Sequence, residues 1–243
     1  MTVTWEELGW ERLADGVGRV RLPGWDCTVG LVVGEGSALL VDAGSSLAEG
    51  ARLGAQAARL AGGGVTLLAL THPHFDHVLG AAASGAAECF AAEGAYALHA
   101  DERGREELRA DAVRHGLDAG AAAEAAAAMV RGGREVRDRL ALPLGGGREA
   151  LLVNAGPGHS GHDLAVVVPG DRPVVFCGDL VEESGEPQAG PDAVPDRWPA
   201  ALDLLLELGG ADASYVPGHG AVVDAAFVGA QRDALAARFG VSR

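Results

Sequence analysis

The sequence predicts an α/β fold of two packed sheets with helices on the outside. Three observations carry that expectation. Short β-type runs form two separate blocks, each block is followed by segments of helical composition, and Val65 to Leu70 is an apolar run of strand length, interrupted only by Thr66. The 243 residues would suffice for one large domain or two small ones. The order β, α, β, α fits one domain spanning residues 1–243.

From the N-terminal side, Gly18 to Leu22, Thr28 to Val33 and Ala38 to Val41 read as adjacent antiparallel strands, with Gly34-Glu35-Gly36 as a hairpin turn. Ser46 to Ala61 reads as a helix capped at Ser45 or Ser46, with Leu47, Ala51, Ala55 and Ala58 as its apolar stripe and Gly62-Gly63-Gly64 as its end. Val65 to Leu70 suits a strand covered on both faces. Two helices are expected between Asp101 and Arg131, broken by Gly116 to Gly120. A second β block follows at Glu149 to Asn154, Leu164 to Val168 and Val174 to Cys177. Helices at Trp198 to Leu208 and Asp224 to Phe239 flank a last short strand, Ala213 to Val216.

Composition narrows the function classes. Hydrophobic residues make up 48% and charged residues 22% of the chain, as in ordinary globular proteins. No apolar stretch approaches the ~20 residues of a membrane-spanning helix, and residues 1–16 are charged where a signal peptide would be apolar. A cytoplasmic location without membrane attachment is expected. Cys27, Cys89 and Cys177 have neither disulfide-framework nor zinc-knuckle spacing. The net charge of −15, from 34 acidic against 19 basic residues, opposes binding to nucleic acids and points to a small-molecule substrate.

The chemistry concentrates in Thr71-His72-Pro73-His74-Phe75-Asp76-His77, directly after the apolar strand. Residues two apart in extended backbone point the same way, so His72 and His74 can converge on one ion, and Pro73 biases His72 toward that conformation. Asp76 and His77 follow as the chain turns and can reach a second ion beside the first. Imidazole nitrogen and carboxylate oxygen are ligands that zinc accepts. Three further motifs stand after strands and beside glycine: Gly156-Pro157-Gly158-His159-Ser160, Phe176-Cys177-Gly178-Asp179 and Pro217-Gly218-His219-Gly220. A lone H-x-H is a weak signal, whereas these four motifs, each placed after a strand, make a strong one.

With those residues in view, the chain resembles the metallo-β-lactamase superfamily from Val41-Asp42-Ala43-Gly44 to His219. The resemblance implies an αββα sandwich with its site at one edge of the sheets. It implies that His72, His74 and His159 hold a first metal, that Asp76, His77 and His219 hold a second, and that Asp179 bridges them. The implied cofactors are two zinc ions, with iron or manganese as substitutes. Asp42 is expected to brace the motif loop by hydrogen bonding. His162 is expected as a hydrogen-bonded loop residue, His99 and His115 as surface residues, and Cys177 as a buried apolar one.

The reaction so implied is hydrolysis of an ester, thioester, lactone or amide-like bond through a metal-bridging hydroxide, with Asp76 orienting the water or carrying its proton. An aspartate at position 179 resembles the glyoxalase II and lactonase side of the superfamily more than the class B β-lactamases. Leu180-Val181-Glu182-Glu183 stands where quorum-lactone hydrolases carry a tyrosine, and only one helix follows His219, so a glutathione-binding helical domain is not expected. The C-terminal half is also similar to the SoxH-like branch. The alternative is a persulfide dioxygenase with one iron, held by two histidines and the bridging-type aspartate. The Trp25-Asp26 turn and the segment from Glu182 to Pro195 are the expected pocket walls.

Overall fold

The apolar alternation of the first block folds into β1 (Glu11–Ala14), β2 (Val17–Arg21), β3 (Thr28–Val33) and β4 (Ser37–Val41), successive antiparallel neighbours. The computed structural model describes residues 4–241, so the ends of the expected 1–243 domain lie outside the described residues. After α1 (Leu47–Leu60), β5 (Val65–Ala69) adds parallel to β4. The short α2 (Phe75–Val78) follows, and then β6 (Glu88–Ala92), α3 (Glu102–Arg114), α4 (Ala119–Ala128) and β7 (Arg134–Val136) complete a seven-stranded sheet in sequence order.

The second sheet runs β12-β11-β10-β9-β8. Its strands are β8 (Arg139–Gly145), β9 (Arg148–Asn154), β10 (Leu164–Val168), β11 (Val174–Glu182) and β12 (Ser214–His219), with α5 (Trp198–Gly209) before β12 and α6 (Ala225–Phe239) after it. The β8 to β11 neighbours are antiparallel, while β11 and β12 are parallel.

Three apolar layers hold four layers of structure together. Leu31, Leu40 and Leu68 face the helices α1, α3 and α4 through Leu53, Leu108 and Ala122. Leu39, Phe90, Leu152, Val166 and Phe176 meet between the sheets. Val175, Val167 and Tyr215 face Trp198, Leu202, Val228 and Leu235 of α5 and α6. The arrangement is the expected αββα sandwich. It brings the C-terminal ends of β5, β11 and β12 to one edge.

Local chemistry explains the helix ends. Ser46 accepts from the Glu49 amide, Asp101 from Gly104, Asp118 from Ala121 and Asp224 from Phe227, each satisfying an otherwise unpaired first-turn donor. The buried face of α1, however, is not the expected stripe. Ala51 and Ala55 are exposed, and Gly50, Leu53, Gly54 and Ala57 are buried instead. The alanine periodicity misleads because the interface is built from glycine. A Cβ at Gly50 would collide with the Gly80 carbonyl oxygen, and one at Gly54 with that of Ser84. The helix thus packs backbone to backbone on the segment that follows α2. Gly54→Ala is expected to destabilise the protein by about 1–3 kcal/mol despite alanine's better helix propensity, because the clash is with main chain. Denaturant unfolding measures it.

Four strands escape the sequence pattern. β1 and β7 are short, β6 is alanine-rich, and β8 carries Pro143, which the sheet tolerates because β8 is an edge strand. The last two strands also run further than expected. β11 continues through Asp179 to Glu182 and β12 through His219, with breaks in the parallel register after Phe176 and after Gly178. Asp179 and His219 therefore project from irregular strand ends rather than from loops.

Candidate metal centre

β5 delivers the histidine motif to the sheet edge. Asp42, just beyond β4, fixes it there: its Oδ1 accepts from the Thr71 amide (2.7 Å) and its Oδ2 from the Thr71 hydroxyl (2.7 Å), with His77 Nδ1 2.8 Å from the same Oδ2. Asp42 sits at φ 68°, a left-handed conformation that costs energy for a residue with a side chain. These contacts offset that cost and match the bracing role expected of it. His74 remains extended and the chain turns into α2, which places Asp76 and His77 in the first turn.

The seven expected residues come together. His72 Nε2 lies 3.6 Å from Asp179 Oδ2, His159 Nε2 lies 3.5 Å from that oxygen, and His74 Nδ1 is 3.0 Å from His159 Nε2. On the other side, His77 Nε2 is 3.2 Å from Asp179 Oδ1 and 3.6 Å from Asp76 Oδ2. His219 Nε2 is 3.4 Å from Asp76 Oδ2 and 3.3 Å from Asp179 Oδ2. Four ligands held tetrahedrally at about 2.0–2.2 Å from an ion lie about 3.3–3.6 Å from one another. Most of these separations fall in that range, and the His74–His159 and His77–Asp179 pairs are closer, at 3.0 and 3.2 Å. Buried His72 Nε2 and Asp179 Oδ1 have no hydrogen-bond partner among the described residues, an arrangement that a cation would relieve. His72, His74, His159 and Asp179 form one set of donors that could hold an ion, and His77, Asp179 and His219 another.

Each imidazole is aimed by a contact at its far nitrogen. His72 Nδ1 donates to the Thr71 hydroxyl (3.0 Å), His219 Nδ1 to the Trp25 carbonyl (2.7 Å) and His159 Nδ1 to the Gln188 carbonyl (3.1 Å). His74 alone presents Nδ1 inward, because its Nε2 lies 2.9 Å from Asp192 Oδ2. Such contacts fix the tautomer and orient the free lone pair.

Electrostatics divides the donor histidines: burial lowers His72 and His159, whereas for His74, His77 and His219 neighbouring groups, the carboxylates among them, outweigh burial and raise them, so a cation would displace protons from those three. Burial drives His159 down to about 4 and His72 well below the usual imidazole range, so both offer lone pairs at neutral pH. Asp179 is lowered well below the usual carboxylate range; burial opposes this, but the surrounding His77 and His72 outweigh it. His219 is raised to about 9, because its hydrogen bond to Asp179 and that carboxylate's charge outweigh burial.

Some residues were not foreseen. Asp192 and Gln188 belong to the segment expected to wall the pocket, but here they hold first-set histidines. Asp163 accepts from the Ser160 amide and hydroxyl (2.7 Å to the latter), clamping the turn after His159, and burial pushes its carboxyl up to about 7. The Cys27 thiol donates to the Asp76 carbonyl (3.1 Å) beside the His77 ring. Burial pushes that thiol up to about 12. None of these had a motif to announce it. His99 differs from its expected surface position: it is half-buried, with Nε2 3.1 Å from the Pro73 carbonyl oxygen. His115 is exposed and stacks on Phe75, His162 Nδ1 donates to the Glu93 carbonyl (2.7 Å), and Cys177 is buried, all as expected.

A sequence model of the metallo-β-lactamase superfamily matches residues 22–220, which include every one of these donors. The chain belongs to the metallo-β-lactamase superfamily. It is also similar in fold to the solved structure of a metallo-beta-lactamase from Pontibacter korlensis, with a TM-score of 0.69 over 93% of this chain and 97% of that one, at 18% identity. No curated protein matches the sequence. Members of the superfamily are mostly metal-dependent hydrolases, and among the described residues no helix is long and apolar enough to cross a membrane.

A pH dependence follows for the metal-free superfamily fold. His219 binds its proton more tightly folded, at about 9, than unfolded, at about 6.5. Its contribution to stability is therefore complete below about pH 6.5 and is lost as pH rises through about 9. Melting in the presence of a chelator is expected several degrees lower at about pH 9.5 than at about pH 6.5. The buried thiols are raised too and act in the same direction. The share of His219 is the part of the drop that disappears in His219→Asn.

Proposed function

We propose that the protein is a binuclear zinc hydrolase of small carbonyl compounds, cleaving an ester, thioester, lactone or amide-like bond. The observation that carries this reading is the position of Asp179, whose two carboxylate oxygens lie 3.2 to 3.6 Å from nitrogens of His72, His159, His77 and His219. One carboxylate shared by two sets of donors is the arrangement a metal pair needs. His72, His74 and His159 would hold the first ion, Asp76, His77 and His219 the second, and Asp179 both. Ions held there would supply a lowered pKa for bound water and polarisation of a carbonyl oxygen.

The remaining work falls to the chain. Asp76, whose Oδ2 lies 3.6 Å from His77 Nε2 and 3.4 Å from His219 Nε2, would orient the attacking water and take its proton. His159 and Trp198, with ring centroids 5.4 Å apart, close the site on the α5 side. The −15 charge supports small neutral or weakly charged substrates over polyanions.

A screen of ester, thioester, lactone and β-lactam substrates, run with zinc-loaded and chelated protein, tests the reading. Turnover of at least one class, lost with chelator and restored by zinc, is expected. RNA and DNA at low salt are expected to remain intact, and chelator-sensitive nuclease activity there would overturn the substrate class.

A further inference from the structure

The segment between β11 and α5, residues 183–197, has no regular structure; its first residue still follows β12, where the Glu183 amide donates to the His219 carbonyl (3.2 Å), and beyond that residue it is fastened to the centre at three points. Val194 donates its amide to the Gly158 carbonyl (2.9 Å), the Gln188 carbonyl accepts from His159, and Asp192 Oδ2 lies 2.9 Å from His74 Nε2. Arg238 of α6 steadies it from outside through the Pro187 carbonyl (2.9 Å). All three inner fastenings reach the first donor set or its flanking turn. None of the three reaches the ring of His77 or of His219, whose far nitrogens are held by Asp42 and the Trp25 carbonyl.

The two sets therefore differ in what supports them. Each contains one histidine held by a carboxylate from outside the seven donors: His77–Asp42 is wholly buried, whereas His74–Asp192 joins a half-buried imidazole to an aspartate whose side chain is 44% exposed. The buried pair belongs to the sheet edge. The exposed pair depends on a segment with no ladder to hold it.

We infer that Asp192 is a positioning residue for the first metal. By accepting the Nε2 proton of His74 it fixes the tautomer that turns Nδ1 inward, and the same contact ties residues 183–197 over the centre. First-site loading and the ordering of this segment are thereby linked, since an ion on Nδ1 holds the ring that Asp192 grips. The inference rests on the two-ion reading above.

The test compares wild type, Asp192→Ala and Asp192→Asn, each stripped of metal and titrated with zinc against a competing chelator. Ring 15N shifts of His74 and amide exchange across 183–197 are read alongside. Wild type should take up two ions, with His74 protonated at Nε2. Asp192→Ala should weaken one ion by about ten- to a hundredfold and leave the other unchanged, mix the His74 tautomers and speed exchange across the segment. Asp192→Asn, which keeps an acceptor but no charge, should fall between the two. Equal affinity of both ions in wild type and Asp192→Ala, or equal loss of both ions in the two variants, would overturn the positioning role. Failure of wild type to bind a second ion would instead remove the two-ion reading itself.

Discussion

Asp76→Asn is expected to lower turnover by about a hundredfold or more while leaving the fold intact. The carboxylate lies in the first turn of α2, with its side chain 10% exposed and Oδ2 3.6 Å from His77 Nε2 and 3.4 Å from His219 Nε2. Asparagine keeps the shape but cannot take a proton, and it weakens the charge that orients the attacking water. The packing that sets the fold does not involve it, because Phe75 and Val78 carry the apolar contacts of α2. Turnover on whichever substrate the screen identifies, measured beside thermal unfolding and zinc content, checks the result. Full metal loading with unchanged turnover would show that Asp76 takes no part in the reaction.

Asp179→Ala should have a still larger effect, because it removes the one residue common to both donor sets. Two oxygens disappear from between four imidazoles, and the neutralising charge goes with them. Loss of both ions, rather than one, and at least about a thousandfold loss of turnover are expected. His219, which is held above the ordinary range chiefly by Asp179, should titrate lower in the metal-free variant. Retention of one tightly bound ion would show that the two sets do not share this carboxylate.

The parts of this molecule legible in its sequence are those with a local signature. Val65 to Leu70 announces a buried strand by its apolar run, and His72, His74 and His77 announce ligands because the chain itself places them together. The order of strand-end motifs then leads to His159, Asp179 and His219. What stayed hidden depends on contacts between distant segments. His74 and Asp192 are 118 residues apart, and nothing in Gly190-Pro191-Asp192 distinguishes that aspartate from other surface acids. The face of α1 escapes its sequence for the opposite reason, since alanine abounds on every side of it while two glycines mark the true contact. Strands β6 and β8 have no clear sequence signature because alanine and proline dilute the β pattern, and neighbouring strands impose the conformation.

Counting the metal in the purified protein tests the central claim most directly. Elemental analysis after removal of loosely bound ions, repeated on metal-stripped protein reloaded with zinc, should give close to two zinc ions per chain. Reloading should restore hydrolysis. A single iron per chain, accompanied by oxygen uptake on a persulfide substrate and no chelator-sensitive hydrolysis, would contradict it.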